Sequence, residues 1–255
     1  GTPAELFLQT ARGAGIAPLR EVIRQTRLED KQLREALDEL LRTGQLFFLE
    51  SADQRESKDD LIATADTWAS MTAQAESEVR EFHRMYPLKK GMPREALKSR
   101  LKVEQRIFLA AMRRWVQDGR LVELGTLVQM PGFQVSFKPQ QKTQIDQLLA
   151  QFAGAPYMPP SVKDCQSLVG EEVYHAFIEQ DILKQVSPDV VFRKEDFDQI
   201  SDRVIAELQK GGTITVAQFR DQFNTSRKYA LAVLEYMDET GVTQRDGDER
   251  RLKQL

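Results

Sequence analysis

The sequence predicts a mainly α-helical chain with small β-wings, organised as four tandem winged-helix (helix-turn-helix) domains. Two observations lead to this fold class. Four amphipathic helical segments recur along the 255 residues, and each runs through a stop residue into a short apolar strand. Residues 213–252 also show the order short strand, helix, polar turn, helix and charged hairpin, which is that of a helix-turn-helix followed by a β-wing.

The four long segments carry apolar residues at the helical period of 3.6. With the strand that follows each helix, they span 33–49, 106–124, 173–186 and 228–242. The stop residue that ends each helix is Gly44, Gly119, Asp181 or Gly241, and successive stop residues are 75, 62 and 60 positions apart. We interpret this spacing as four copies of one unit. The predicted domains are 1–64, 65–137, 138–193 and 194–255.

Each copy also needs two further helices and a wing. Candidate second helices are 18–26, 93–101, 161–168 and 216–223. Candidate opening helices are 3–12, 63–86, 142–152 and 195–209. In the predicted first wing, 46–49 pairs with 61–62 across the polar loop 51–60. In the second, 121–123 pairs with 127–130, and a further strand follows at 133–137. In the third, 186 pairs with 190–192, and the fourth consists of two strands around Gly247. A unit of about 60 residues buries only a small core, so we expect neighbouring units to stabilise one another.

Basic side chains cluster in the last unit. Arg227 and Lys228 open its final helix, and Arg245, Arg250 and Arg251 follow in the hairpin. The start of a helix offers free backbone N–H groups and the positive end of the helix dipole, both of which favour phosphate. Residues 196–255 nevertheless contain nine basic and eleven acidic side chains. We therefore expect a local and selective nucleic-acid site.

The apolar stripe of the final helix separates its core side from its exposed side. Lys228, Ala232 and Glu235 fall opposite the stripe, which predicts that they are exposed. Tyr229 suits either stacking on an unpaired RNA base or packing along the helix edge. Asp248 suits either a hydrogen bond from a base edge or a role in the hairpin turn.

Three short motifs resemble a known family. Ser226-Arg227-Lys228-Tyr229, Leu234-Glu235-Tyr236 and Gly247-Asp248 before Arg250 are similar to the C-terminal end of the bacterial selenocysteine-specific elongation factors, the SelB family. In that family four winged-helix domains follow a GTPase portion, and the last binds the messenger-RNA stem-loop (SECIS) that recodes a UGA codon. The motifs cover about the last thirty residues, whereas the four-domain architecture would cover the whole chain.

The resemblance implies an RNA-binding site in the last domain. Its candidate residues are Thr225, Ser226, Arg227, Lys228, Tyr229, Arg245, Gly247, Asp248, Arg250 and Arg251. For the full-length protein it implies GTP and Mg²⁺ as cofactors, and selenocysteinyl-tRNA and the ribosome as partners beside the mRNA hairpin. For this chain alone we expect no cofactor and a monomeric state.

The wing departs from the family pattern. Where the family carries two adjacent arginines and an apolar residue before Gly-Asp, this chain has Gln244, Arg245 and Asp246. The site therefore has one positive charge fewer and one negative charge more. We expect Arg245 to read a base, and Gln244→Arg to tighten RNA binding by adding a phosphate contact.

Composition and motifs exclude several function classes. The net charge is −3 and the pI is about 5.7, which argues against indiscriminate binding of polyanions. There is no GxxxxGK[ST] loop for GTP, His83 and His175 stand outside any metal-ligand spacing, and the carboxylates form no acid–base pair. A lone Cys165 fits a reducing cytoplasm, and the lack of a long apolar run predicts no membrane segment. Because no catalytic motif is found, we expect no enzyme activity. Because residue 1 is Gly, we expect a piece of a longer protein.

Two other functions fit the same fold. A winged helix also suits a DNA-binding regulator, although such proteins commonly dimerise to match half-sites. The four wings could also form a protein-interaction scaffold. Within the RNA-binding interpretation, Glu29-Asp30 and Glu104 at the helix starts of the first two units repel phosphate, so we expect no hairpin affinity there. We expect a fragment from about Arg193 onward to fold and bind alone.

Overall fold

The computed structural model of the protein describes residues 1–50 and 57–254 and confirms a mainly α-helical winged-helix fold with small antiparallel sheets. The helices within these residues are α1 (Pro3–Ala14), α2 (Leu19–Gln25), α3 (Asp30–Arg42), α4 (Ala65–Met85), α5 (Arg94–Leu101), α6 (Gln105–Gln117), α7 (Pro139–Gly154), α8 (Val162–Val169), α9 (Glu171–Glu179), α10 (Lys194–Gln209), α11 (Val216–Phe223) and α12 (Arg227–Glu239).

The strands form small antiparallel sheets, in each of which a hairpin follows a group of three helices. They are β1 (Ala17–Pro18), β2 (Leu46–Phe48), β3 (Leu61–Thr64), β4 (Met92–Pro93), β5 (Val122–Leu124), β6 (Leu127–Gln129), β7 (Leu183–Gln185), β8 (Val191–Arg193), β9 (Ile214–Thr215), β10 (Thr243–Asp246) and β11 (Glu249–Leu252). The sheet orders are β1-β3-β2, β4-β6-β5, β7-β8 and β10-β11-β9. Three helices and an antiparallel hairpin thus occur four times along the chain.

The predicted stop residues end the long helices through left-handed backbone. Gly44, Gly119 and Gly241 have φ values of +75°, +72° and +79°, and Asp181 has +57°. This conformation closes the last helical turn and redirects the chain into the first strand of each wing. Glycine adopts it without a steric penalty, and aspartate tolerates it better than most residues do. The periodic stops seen in the sequence are therefore the points where helix becomes wing.

Three predicted elements differ from the structure. Residues 63–64 belong to β3 rather than to the helix that follows, and the third wing begins at Leu183 rather than at residue 186. Residues 133–137 form no strand. Their two phenylalanines pack on helices instead, because Phe133 stacks on His83 at 3.6 Å between ring centroids and Phe137 packs edge-on to Phe177. Residues 51–56 of the predicted first-wing loop lie outside the described residues.

The chain divides into two compact units, Gly1–Gln134 and Val135–Leu255. In the first unit, β3 runs directly into α4, and Leu49, Leu61 and Ala110 join the first two groups of helices. Trp115 lies inside the core of the second group of helices, where its indole N–H donates to the Thr72 hydroxyl over 2.8 Å. The finer division at residues 64, 137 and 193 stays a prediction.

The second unit has a core that crosses the predicted boundary at 193. Strand β8 runs directly into α10, and Val186, Val190 and Phe192 of the third wing belong to the same apolar core as α10, α11 and α12. A chain that starts near Arg193 therefore loses three buried apolar partners. A boundary at 193 would separate residues of this core from one another, and the boundary itself stays a prediction.

Cys165 lies in that unit as a small buried core residue, and burial raises the pKa of its thiol to about 12. None of the described helices is long and apolar enough to cross a membrane.

We predict that the whole unit 135–255 unfolds cooperatively, whereas residues 194–255 alone are several kcal/mol less stable. The reason is the loss of Val186, Val190 and Phe192, since full burial of such a side chain contributes about 1.5–3 kcal/mol. Thermal melting followed by circular dichroism compares the two fragments. A melting temperature of 194–255 equal to that of 135–255 would contradict the shared core.

We also predict that the first unit loses stability as the pH falls through the ordinary range of histidine. His83 Nε2 accepts a hydrogen bond from the Met130 N–H over 3.0 Å, and burial lowers its pKa from 6.5. The unfolded chain therefore takes up the proton first, so stability is full above about 6.5 and declines below it. Melting of fragment 1–134 between pH 7.5 and 5.5 should show the decline, and His83→Gln should remove it. In the full chain, His175→Gln at an exposed site serves as the control and should leave it unchanged.

Candidate nucleic-acid interface

The turn between helices α11 and α12 contains one residue with a left-handed backbone conformation. Helix α11 ends at Phe223, and Asn224 adopts φ +48°, a conformation that asparagine tolerates. Ser226 is extended and precedes α12 without a side-chain hydrogen bond to the helix. The first turn of α12 contains no acidic residue, so its N–H groups and dipole remain available to an anion.

The two basic residues at this helix start have different surroundings. Arg227 is exposed, and no ion pair joins it to a carboxylate within residues 1–50 and 57–254. Lys228 Nζ lies 2.6 Å from Asp189 Oδ2 in the turn of the third wing. This hydrogen bond raises the pKa of Lys228. Arg227 is thus free to meet a phosphate, whereas Lys228 must exchange a carboxylate for it.

The preceding segment of the chain also holds the turn. The Thr225 hydroxyl donates to the Tyr157 carbonyl over 2.6 Å, and the Tyr229 hydroxyl donates to the Pro159 carbonyl over 2.7 Å. The Tyr229 ring is half-buried and packs edge-on to Phe192. Of the two interpretations of Tyr229, the structure supports packing along the helix edge.

The packing of α12 corrects one expected exposure. Ala232 is buried, at 7% exposure, although the helical pattern placed it opposite the core. Lys228 and Glu235 are exposed as expected. The third wing contributes to the same core, so α12 is covered on more than the one stripe that its own sequence shows.

The wing pairs β10 with β11 in an antiparallel register. Gln244 lies opposite Arg251, and Arg245 lies opposite Arg250. Since opposed residues point to the same face of a sheet, these two pairs occupy opposite faces. Gly247, at φ +63°, and the exposed Asp248 form the connecting turn, so Asp248 takes the turn position considered for it.

Arg245 and Arg251 are the exposed cations of this hairpin. The Arg245 side chain folds toward the turn, where its Nε donates to the Gly247 carbonyl over 2.9 Å. Within residues 1–50 and 57–254, no carboxylate is ion-paired with either arginine. Both charges are available to a ligand, one on each face of the wing.

Arg250 does not belong to this exposed set. It is 1% exposed, and its Nε donates to Asp238 Oδ2 over 3.2 Å. Its position in the middle strand, on the face that carries Ile214 and Leu252, explains the burial. Replacing Arg250 by Ala would leave the half-buried Asp238 carboxylate, which is 22% exposed, without its cation, so we expect this change to lower stability.

The corresponding helices of the other units begin with carboxylates. Helix α3 starts after Glu29, α6 after Glu104, and α9 with Glu171 and Glu172. Acidic side chains at these positions stabilise the helix dipole and repel phosphate. Among the described residues, no group of three or more His, Cys, Asp and Glu side chains is arranged to hold a metal ion. The start of α12 is thus the one among these four that pairs basic residues with a free helix end.

Comparison with known proteins is consistent with this architecture. Residues 77–130 and 206–252 match family models described as "Elongation factor SelB, winged helix". The chain is 27% identical, over 98% of its length, to a selenocysteine-specific elongation factor from Desulfomicrobium baculatum. It spans 39% of the length of that relative. These matches confirm the resemblance to the C-terminal winged-helix region of SelB.

Two solved structures are similar over part of the chain. One is the mRNA-binding domain of elongation factor SelB from E. coli in complex with SECIS RNA, with 24% identity, a TM-score of 0.37, and coverage of 46% of this chain and all of that one. The other is a bacterial selenocysteine-specific elongation factor, with 15% identity, a TM-score of 0.42, and coverage of 80% and 33% respectively.

We predict unequal contributions from the two basic residues that open α12. Arg227→Ala should weaken binding of a hairpin RNA and flatten the plot of log K against log salt by roughly 0.7–0.9. Lys228→Ala should change both quantities less, because Asp189 already offsets its charge. Fluorescence anisotropy at several salt concentrations measures both.

Asp189→Asn provides the matched test, since it leaves the size of the side chain almost unchanged. It should tighten binding by releasing Lys228, and the gain should vanish in the double variant with Lys228→Ala. Equal losses in Arg227→Ala and Lys228→Ala, with no effect of Asp189→Asn, would contradict the assignment.

Proposed function

We propose that this chain, which carries winged-helix domains of the elongation factor SelB type at residues 77–130 and 206–252, is the RNA-binding C-terminal part of a selenocysteine-specific elongation factor. Its ligand in this proposal is an mRNA stem-loop (SECIS) that directs selenocysteine incorporation at UGA. The chain acts by binding and not by catalysis. Because it spans 39% of its curated relative, GTP, Mg²⁺, selenocysteinyl-tRNA and the ribosome are proposed for the full-length protein only.

The observation that carries this proposal is the start of α12. It combines an exposed Arg227, which has no ion pair among the described residues, with a first turn free of acidic residues and a serine N-cap. In contrast, α3 and α6 have the glutamate N-caps Glu29 and Glu104, and α9 begins with Glu171 and Glu172. The same unit carries the exposed Arg245 and Arg251 on its wing. A helix end and a wing with free cations are the two elements through which helix-turn-helix proteins contact a nucleic-acid backbone.

The remaining units serve as a spacer or as contacts to the preceding domain in this proposal. Their helix starts are acidic, and the chain as a whole carries a net charge of −3. We propose a monomer that works in the cytoplasm, with affinity for RNA confined to the last unit and its neighbouring wing. Such a local patch favours a structured ligand over unselective binding to nucleic acid.

Equilibrium binding of the whole chain tests the function. The probes are the stem-loop of an mRNA with an in-frame UGA recoded as selenocysteine, a scrambled hairpin of equal length, and duplex DNA of the stem sequence. We expect the RNA stem-loop to bind at least about tenfold more tightly than either control, a difference of about 1.4 kcal/mol. Preference for the DNA would favour a transcription regulator. Absence of binding to all three would favour a protein-interaction scaffold.

Single substitutions on the wing show which of its faces meets the RNA. Arg245→Ala tests the face shared with Arg250, whereas Arg251→Ala and Gln244→Arg test the other face. If the second face contacts phosphate, Gln244→Arg should tighten binding and steepen the salt dependence by roughly 0.7–0.9. If Arg245 reads a base, its loss should cost about 1–3 kcal/mol against the stem-loop and little against the scrambled hairpin. Unchanged affinity in all three variants would exclude the wing from the interface.

A further inference from the structure

The last wing is fastened to its helix by one carboxylate. Asp238, in the final turn of α12, accepts the Arg250 Nε–H at Oδ2 over 3.2 Å and the Thr243 hydroxyl at Oδ1 over 2.7 Å. Thr243 lies on β10 and Arg250 on β11. Both strands of the hairpin are therefore tied to the same point at the end of the helix.

Two of the three residues of this attachment are buried, whereas Asp238 is 22% exposed. Arg250 is 1% exposed and Thr243 is 2% exposed, and Arg250 Nη2 has no hydrogen-bond partner among the described residues. Burial of a guanidinium with an unsatisfied nitrogen offsets much of its attraction to the carboxylate, so the net contribution of the pair to stability is small. Such a pair does fix the orientation of the elements that it joins, because the guanidinium and the carboxylate must meet in one geometry.

The strand register relates this fixed orientation to the two exposed arginines, Arg245 and Arg251. Arg250 is opposite Arg245 on β10 and opposite Ile214 on β9, and it precedes Arg251. A change in the angle between the hairpin and the end of α12 would thus move both exposed cations relative to the start of α12.

We propose that Arg250 and Asp238 are positioning residues for RNA recognition, which fix the angle of the wing and thereby the places where Arg245 and Arg251 meet the ligand. This inference rests on the proposed RNA-binding function. It assigns Arg250 no contact with RNA, whereas the sequence places Arg250 among the candidate RNA-binding residues. The two roles differ in what removal of the Asp238 charge does.

Asp238→Asn separates the two roles, because it retains an oxygen to accept the Thr243 hydroxyl while it removes the partner charge of Arg250. For a positioning pair we expect RNA affinity to fall by about fivefold or more. For a direct phosphate ligand the affinity should stay equal or rise, because the guanidinium is released from its carboxylate. Asp196→Asn is the matched control, since Asp196 is likewise ion-paired to an arginine, Arg193, over 2.7 Å, and is buried more deeply than Asp238. It should lower stability and leave RNA affinity unchanged.

Coupling to Arg245 distinguishes positioning from a general loss of stability. The affinity loss of Asp238→Asn should shrink markedly when Arg245 is already alanine, because there is then less for the pair to position. Additive losses in the double variant would overturn the proposal. Arg250→Lys serves as the second variant if Asp238→Asn fails to fold, since it retains the charge and loses the fork geometry. It should weaken binding in the same Arg245-dependent way.

The outcomes also separate this inference from the function on which it rests. If the unaltered chain does not bind the stem-loop, the proposed function fails. If the chain binds and Arg227→Ala weakens it, but Asp238→Asn and Arg250→Lys bind as well as the unaltered chain, the function stands and the positioning role is wrong.

Discussion

The direct junction between the third wing and α10 is the constraint on which the last unit depends. Strand β8 ends at Arg193 and α10 begins at Lys194, so no linker separates the two groups of elements. A three-helix unit of about 60 residues buries little apolar surface on its own. The third wing therefore supplies Val186, Val190 and Phe192 to the core beneath α12, and the two groups share one interior.

That shared interior determines the chemistry at the start of α12. Because the third wing is fixed against the helix, its turn holds Asp189 next to Lys228, and residues 157–159 accept the hydroxyls of Thr225 and Tyr229. Three of the polar groups offered by the sequence are thus already used within the protein. Arg227 stays exposed, so two adjacent basic residues differ in their availability to a ligand because their neighbours differ.

Local patterns predicted most of the fold. Helix α11 matches its predicted range, and the four stop residues were visible as glycine or aspartate after an apolar stripe. Contacts over long sequence distances were not visible, since no local pattern joins Tyr229 to Pro159. The burial of Arg250 could have been predicted from its strand position, although its charge suggested exposure. Arg250 lies two residues before the apolar Leu252 on the same strand, and residues two apart share a face.

In the proposed function, the small number of exposed, unpaired cations among the described candidate residues makes their geometry the main source of recognition. Among the candidate residues, Arg227, Arg245 and Arg251 are exposed and unpaired within the described part of the chain, whereas Lys228 and Arg250 are held by carboxylates. Each phosphate contact adds only a limited, salt-dependent increment of affinity. With so few contacts, an acidic chain binds one RNA in preference to others only if those contacts lie at the correct separations. For the proposed function, the angle between helix and wing would matter more than the count of charges, and Asp238 at the end of α12 contacts both strands of the wing.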